Sequence, residues 1–92
     1  GLDHIAFVEV KLSDTKESAL DAFNEAVKKL REAEECHMIA GRFDYLLKVV
    51  VRNRKELETF LMEKLTPIPG IARISTSIVL TEIKYTTALS LD

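Results

Sequence analysis

Glu35-Cys36-His37-Met38-Ile39-Ala40-Gly41-Arg42-Phe43-Asp44-Tyr45-Leu46-Leu47-Lys48-Val49 carries the pattern of two strands joined by a short turn. Two apolar, strand-like runs meet in it at Gly41, and Asp44 lies between two aromatics just past the turn. The run Tyr45-Leu46-Leu47-Lys48-Val49-Val50-Val51 is rich in β-branched residues and too short for a typical helix. Strands are therefore predicted over 35–40 and 45–51. A glycine lets another molecule approach the backbone closely, because no side chain stands in the way. An aspartate beside it can hold a cation or an ammonium group, so the turn has the chemistry to grip a small zwitterion.

Residues 2–12 alternate as a strand does, with Ala6, Val8, Val10 and Leu12 on one face and Ile5, Phe7, Glu9 and Lys11 on the other. Ser13-Asp14-Thr15-Lys16-Glu17 reads as a helix start in which Asp14 bonds early amides and Glu17 bonds back. Ala19, Leu20, Phe23, Ala26, Val27 and Leu30 then form one apolar stripe on a long helix, and Lys28, Lys29 and Arg31 suit its negative pole. Asn53 with Glu56 repeats the capping pattern before Leu57, Phe60, Leu61, Leu65 and Ile68, and Pro67, Pro69 and Gly70 stop this second helix. Residues 71–85 read as a long strand and 86–92 as an extended tail.

The order β-α-β-β-α-β predicts an α+β, ferredoxin-like sandwich: a four-stranded antiparallel sheet with two helices on one face. The other face would carry Ile5, Phe7 and an alternating set from each remaining strand. That is too much apolar surface for a small monomer to leave in water. A homodimer is expected, formed sheet to sheet or by exchange of edge strands.

Ninety-two residues suffice for one domain spanning 1–92. Apolar residues at 47% and charged ones at 30% read as globular rather than disordered. A net charge of -2 argues against a nucleic-acid grip by these residues alone. Cys36 is the only cysteine, which excludes an internal disulfide and a cysteine-based zinc cluster, and fits a reducing, cytoplasmic setting. No apolar run is long enough to span a bilayer and no secretory leader is evident, so no membrane partner is expected.

Three stretches together carry a resemblance: 35–48 as quoted above, Ile68-Pro69-Gly70-Ile71, and Thr76-Ser77-Ile78-Val79-Leu80-Thr81-Glu82-Ile83-Lys84. In this order they resemble the C-terminal effector-binding domain of the Lrp/AsnC (feast/famine) transcription regulators, the regulation-of-amino-acid-metabolism or RAM domain. The resemblance implies dimers that assemble into rings, often octamers, with an amino-acid effector bound between dimers and no cofactor. It implies that Gly41 offers backbone to the ligand and Asp44 faces its α-ammonium group. Arg42 and Phe43 in the turn and Thr76, Ser77 and Ile78 on the last strand would lie around the same pocket, with His37 influencing which side chain fits. DNA would be bound only through a helix-turn-helix domain in front. This chain supplies none, and the abrupt apolar start at Leu2 suggests a fragment of such a regulator.

Plainer readings stand beside these. Asp44 could satisfy turn amides, Gly41 could be a simple turn glycine, and Thr76 and Ser77 ordinary strand hydroxyls. His4, Cys36 and His37 do not make a metal site, because adjacent strand residues point to opposite faces. Cys36 beside Glu34 and Glu35 reads as a buried small hydrophobe rather than a nucleophile. Arg52-Asn53-Arg54-Lys55 and the acidic Glu32, Glu34 and Glu35 read as solvated. An enzyme would need polar groups in a sheet-lined cavity, for which Glu9, His37 and Tyr45 form no recognisable constellation; no enzymatic activity is expected. A stand-alone amino-acid sensor, modulating another regulator or a metabolic enzyme, is the alternative.

Overall fold

Strand β1 (His4–Leu12) buries alternate residues, Ala6, Val8, Val10 and Leu12, as its pattern predicts. Its neighbour β3 (Tyr45–Val51) does the same with Tyr45, Leu47, Val49 and Val51. The computed structural model describes residues 3–85. Within them β1 and β3 form the centre of a four-stranded sheet of order β2-β3-β1-β4, with β2 spanning Ala33–Met38 and β4 Ile71–Ile78. All three pairings are antiparallel. Helix α1 (Glu17–Val27) contributes Phe23 and Val27 to the buried face. Helix α2 (Arg54–Thr59) and its π-helical continuation (Phe60–Leu65) contribute Leu57, Phe60 and Leu65. This is the predicted ferredoxin-like arrangement, one core between the sheet and its two helical segments. Phe23 and Tyr45 pack with ring centroids 4.5 Å apart, and the buried Tyr45 hydroxyl donates to Asn24 Oδ1 at 2.7 Å.

The element ends differ from expectation for local reasons. The start of α1 has no capping box: Asp14 Oδ1 accepts from the Lys16 amide at 2.8 Å, Lys16 is the cap, and the helix opens at Glu17. Asp14 thus lies two residues before the cap position and does not reach the helical amides. The helix also stops at Val27, where the chain tightens so that Leu30 N donates to Val27 O at 3.0 Å. Lys28, Lys29 and Arg31 therefore follow the helix rather than complete it, while Leu30 still packs on the core. The second cap forms as read, with Asn53 Oδ1 accepting from the Glu56 amide at 2.8 Å. The Glu56 carboxylate, however, accepts from Arg52 Nε at 3.0 Å instead of turning back.

Strand β4 ends at Ile78, well short of residue 85, because its partner β1 runs out. Ile78 already faces Ala6, and one further bond, from Val79 N to Ile5 O at 2.9 Å, closes the pairing. Leu80 and Ile83 beyond it are almost fully exposed. The expected tail over 86–92 lies outside the described residues.

Two further expectations are corrected. Cys36 is exposed rather than buried, because it lies on the edge strand β2. Glu32 is only 4% exposed rather than solvated. Burial pushes its carboxyl up, but the Lys64 hydrogen bond, its own backbone, and the Lys64 and Arg31 charges outweigh that and hold it below the ordinary range. Its Oε1 has no hydrogen-bond partner among the described residues.

The face of the sheet away from the helices carries Ile5, Leu46 and Val50, all partly buried, and Phe7, 39% exposed.

Candidate functional site

The link from β2 to β3 is pinned at both ends. Ile39 N donates to Asp44 O at 2.9 Å, and Asp44 N donates to Val10 O at 2.9 Å. The β1–β4 register shifts between Lys11 and Leu12, and this bulge frees the Leu12 amide from the ladder. Asp44 Oδ2 accepts that amide at 2.8 Å, and Lys11 Nζ lies 3.8 Å from the same oxygen. Asp44 Oδ1 accepts no hydrogen bond among the described residues, and the side chain is 19% exposed. The aspartate is therefore held still by one oxygen while the other stays available.

Gly41 sits at φ +156°, where a side chain is strained, and a Cβ built on it would meet nothing within 4 Å. The space in front of this backbone is open, so the glycine answers to its dihedral and leaves room for an approaching group. Phe43 lies under the Arg73 guanidinium, whose carbon is 5.4 Å from the ring centroid. Lys11 and Arg73 are register partners across β1 and β4, which brings both cations to the end of the sheet where the turn sits. Neither was singled out from the sequence. The signal was a tertiary one: aligning the first and last strands as antiparallel neighbours sets Lys11 against Arg73.

Arg42 lies in the turn itself and is exposed, whereas His37, Thr76, Ser77 and Ile78 do not gather there within one chain. Thr76 and Ile78 face the helical side with their partners Val8 and Ala6. They line a cavity of about 670 Å³ with His4, Asn53 and Leu57, away from Gly41 and Asp44. Ser77 faces the open side opposite Phe7. His37 is also on the open side, opposite Leu46, and its Nε2 lies 3.0 Å from Glu35 Oε1. That hydrogen bond and, more weakly, the Lys48 ammonium hold the Glu35 carboxyl below its ordinary range. Cys36 and His37 do point to opposite faces, and among the described residues no three His, Cys, Asp or Glu side chains are placed to hold a metal ion. Tyr45, one of the three polar groups weighed for catalysis, is a core residue whose hydroxyl burial pushes up, away from acid–base use near neutrality. Among the described residues no helix is long and apolar enough to cross a membrane.

Comparison with known proteins adds identity to this geometry. The family model for the Lrp/AsnC ligand binding domain matches residues 5–89. The chain is 54% identical over 86 residues to the proline dehydrogenase transcriptional activator of Rhizobium radiobacter, covering 94% of this chain and 55% of that protein. It is 38% identical over 85 residues to the leucine-responsive regulatory protein of Escherichia coli K12, covering 92% and 52% respectively. Among solved structures, a transcriptional regulator of Neisseria meningitidis in complex with L-methionine superposes with a TM-score of 0.88 at 31% identity, covering 97% of this chain and 57% of that one. These relatives are transcription regulators, not enzymes. The chain spans about half the length of the curated relatives it matches.

Proposed function

The chain belongs to the Lrp/AsnC ligand-binding domain family, and from that premise we propose that residues 1–92 form one effector-binding and oligomerisation domain whose effector is an amino acid. The observation that carries this reading is the state of Asp44: one carboxylate oxygen is anchored on the Leu12 amide and the other is available, in the same turn as the open backbone at Gly41. A carboxylate fixed in this way suits an α-ammonium group, because no side-chain freedom is lost when the ligand binds. The relatives' names support the ligand class, since they speak of a methionine complex and of a leucine-responsive regulator.

The separation of Thr76 and Ile78 from the turn supports a site completed by a second copy. An effector held by one chain's Gly41–Asp44 turn could reach the β4 residues of a neighbouring chain. The open sheet face with Ile5, Phe7, Leu46 and Val50 supplies a surface for the dimer, and contacts between dimers would build a ring. Ligand binding then shifts assembly to the extent that it favours one arrangement over another. In a protein of the relatives' length, such a shift would reposition DNA-binding parts carried outside this stretch. Its place of action on this reading is the cytoplasm.

A thermal-shift panel of the twenty amino acids at millimolar concentration tests the reading. An amino acid present at about a hundred times its Kd stabilises the fold by about 2.7 kcal/mol per site. One or a few hits are expected, and a flat panel would contradict the proposal.

A further inference from the structure

Arg73 lies on β4 with its guanidinium carbon 5.4 Å from the Phe43 ring centroid, against the turn that holds Gly41 and Asp44. It is exposed, and among the described residues no carboxylate lies within ion-pair distance of it. Lys11, its neighbour across the sheet, is already engaged with Asp44. An arginine held over an aromatic ring by cation–π attraction spends none of its N–H donors on that contact, and those donors match a carboxylate in a two-pronged way. Phe43 thus holds the cationic fork in place without consuming its hydrogen-bonding capacity. Phe43 is also covalently adjacent to Asp44, so the ring that the Arg73 guanidinium covers is next in the chain to the anionic group.

Resting on the reading of this turn as the effector site, we infer that Arg73 binds the effector's α-carboxylate and so selects free amino acids over their amides and over residues within peptides. Asp44 takes the ammonium end and Arg73 the carboxylate end. A backbone amide alone at the carboxylate end would discriminate less, since it bonds an amide carbonyl nearly as readily as a carboxylate oxygen. The charge of Arg73 makes the difference.

The test is calorimetric titration of L-methionine, L-leucine and L-proline, each beside its primary amide, into the parent domain and into R73M, R73K and D44N. The parent is expected to bind at least one of the amino acids and to bind its amide about tenfold or more weakly, a charged bond being worth about 1.5–3 kcal/mol. R73M should bind the acid as weakly as the amide, R73K should regain part of the preference, and D44N should weaken acid and amide alike. Because Arg73 is exposed, the melting temperature of unliganded R73M should match the parent's, which separates loss of binding from loss of fold. If the parent binds and R73M still prefers acid over amide, the assignment of Arg73 is overturned while the turn keeps its role. If the parent binds none of the three, the reading of the turn itself falls and Arg73 falls with it.

Discussion

Asp44 Oδ2 accepts the backbone N–H of Leu12 at 2.8 Å, tying the β2–β3 turn to the bulge in β1. The bond joins residues 32 apart in sequence, so the carboxylate read as a ligand group is also a structural clasp. The two roles separate by substitution. D44N keeps an oxygen that can accept the Leu12 amide and should melt close to the parent. D44A leaves that amide unpartnered and should cost about 2 kcal/mol, a fall in Tm of about 4–8 °C per kcal/mol in a domain this size. Both should lose amino-acid binding. Differential scanning calorimetry with ligand titration distinguishes them, and a D44N domain that binds as tightly as the parent contradicts the ammonium role.

Gly41 offers a second separation, between strain and crowding. Its φ of +156° disfavours any side chain, yet a Cβ there would touch nothing within 4 Å. G41A should therefore cost about 1–2 kcal/mol through the backbone. Ligand binding should fall further than stability does, because the added methyl occupies the space an effector would approach. Urea denaturation and titration of G41A against the parent give the two losses independently.

Glu32 and Lys64 join the α1–β2 connection to the π-helical segment in an ion pair whose carboxylate is buried and whose lysine is 41% exposed. The Glu32 carboxyl is depressed in the folded state. Its contribution is accordingly full above its unfolded value near 4.5 and is lost as pH falls through the lower folded value. K64M leaves the carboxylate buried without its main partner and should destabilise by about 2–3 kcal/mol at pH 7. Raising Tm by acidification relative to the parent's own pH profile is the expected signature of K64M, since protonation removes the stranded charge. Melting curves of parent and K64M between about pH 4 and pH 7 decide it; parallel profiles would contradict the assignment.

Phe7 stands in the middle of the open sheet face, opposite Lys48 in the register. A glutamate at this position meets that lysine in the folded monomer but places a charge in a sheet-to-sheet interface. F7E should fold and sediment as a monomer at micromolar concentrations where the parent sediments as a dimer or larger. An F7E domain that keeps the parent's assembly would show that the copies join elsewhere.

The alternation in residues 4–12 and 45–51 was legible because both strands bury one face only, and the chain writes that periodicity directly. The Asn53 cap was legible for the same local reason. What escaped was set by distant partners. The end of β4 at Ile78 depends on where β1 begins, and the burial of Glu32 depends on Lys64, which is 32 residues away. Cys36 was misjudged because nothing in its own neighbourhood says that β2 lies at the sheet's edge. In the candidate site, Gly41 and Asp44 showed in the sequence as a glycine turn with a nearby carboxylate. Lys11 and Arg73 were silent, since only the β1–β4 register brings them to that turn.

On the proposed function, this domain holds an amino acid at the Asp44 turn. Isothermal titration of the parent and of D44N with the best-stabilising amino acid, at matched folded stability, tests it most directly. Saturable binding by the parent, at no more than one site per chain, and a loss of at least about tenfold in D44N are expected. Equal affinity in the two proteins, or no binding by a folded parent, would contradict it.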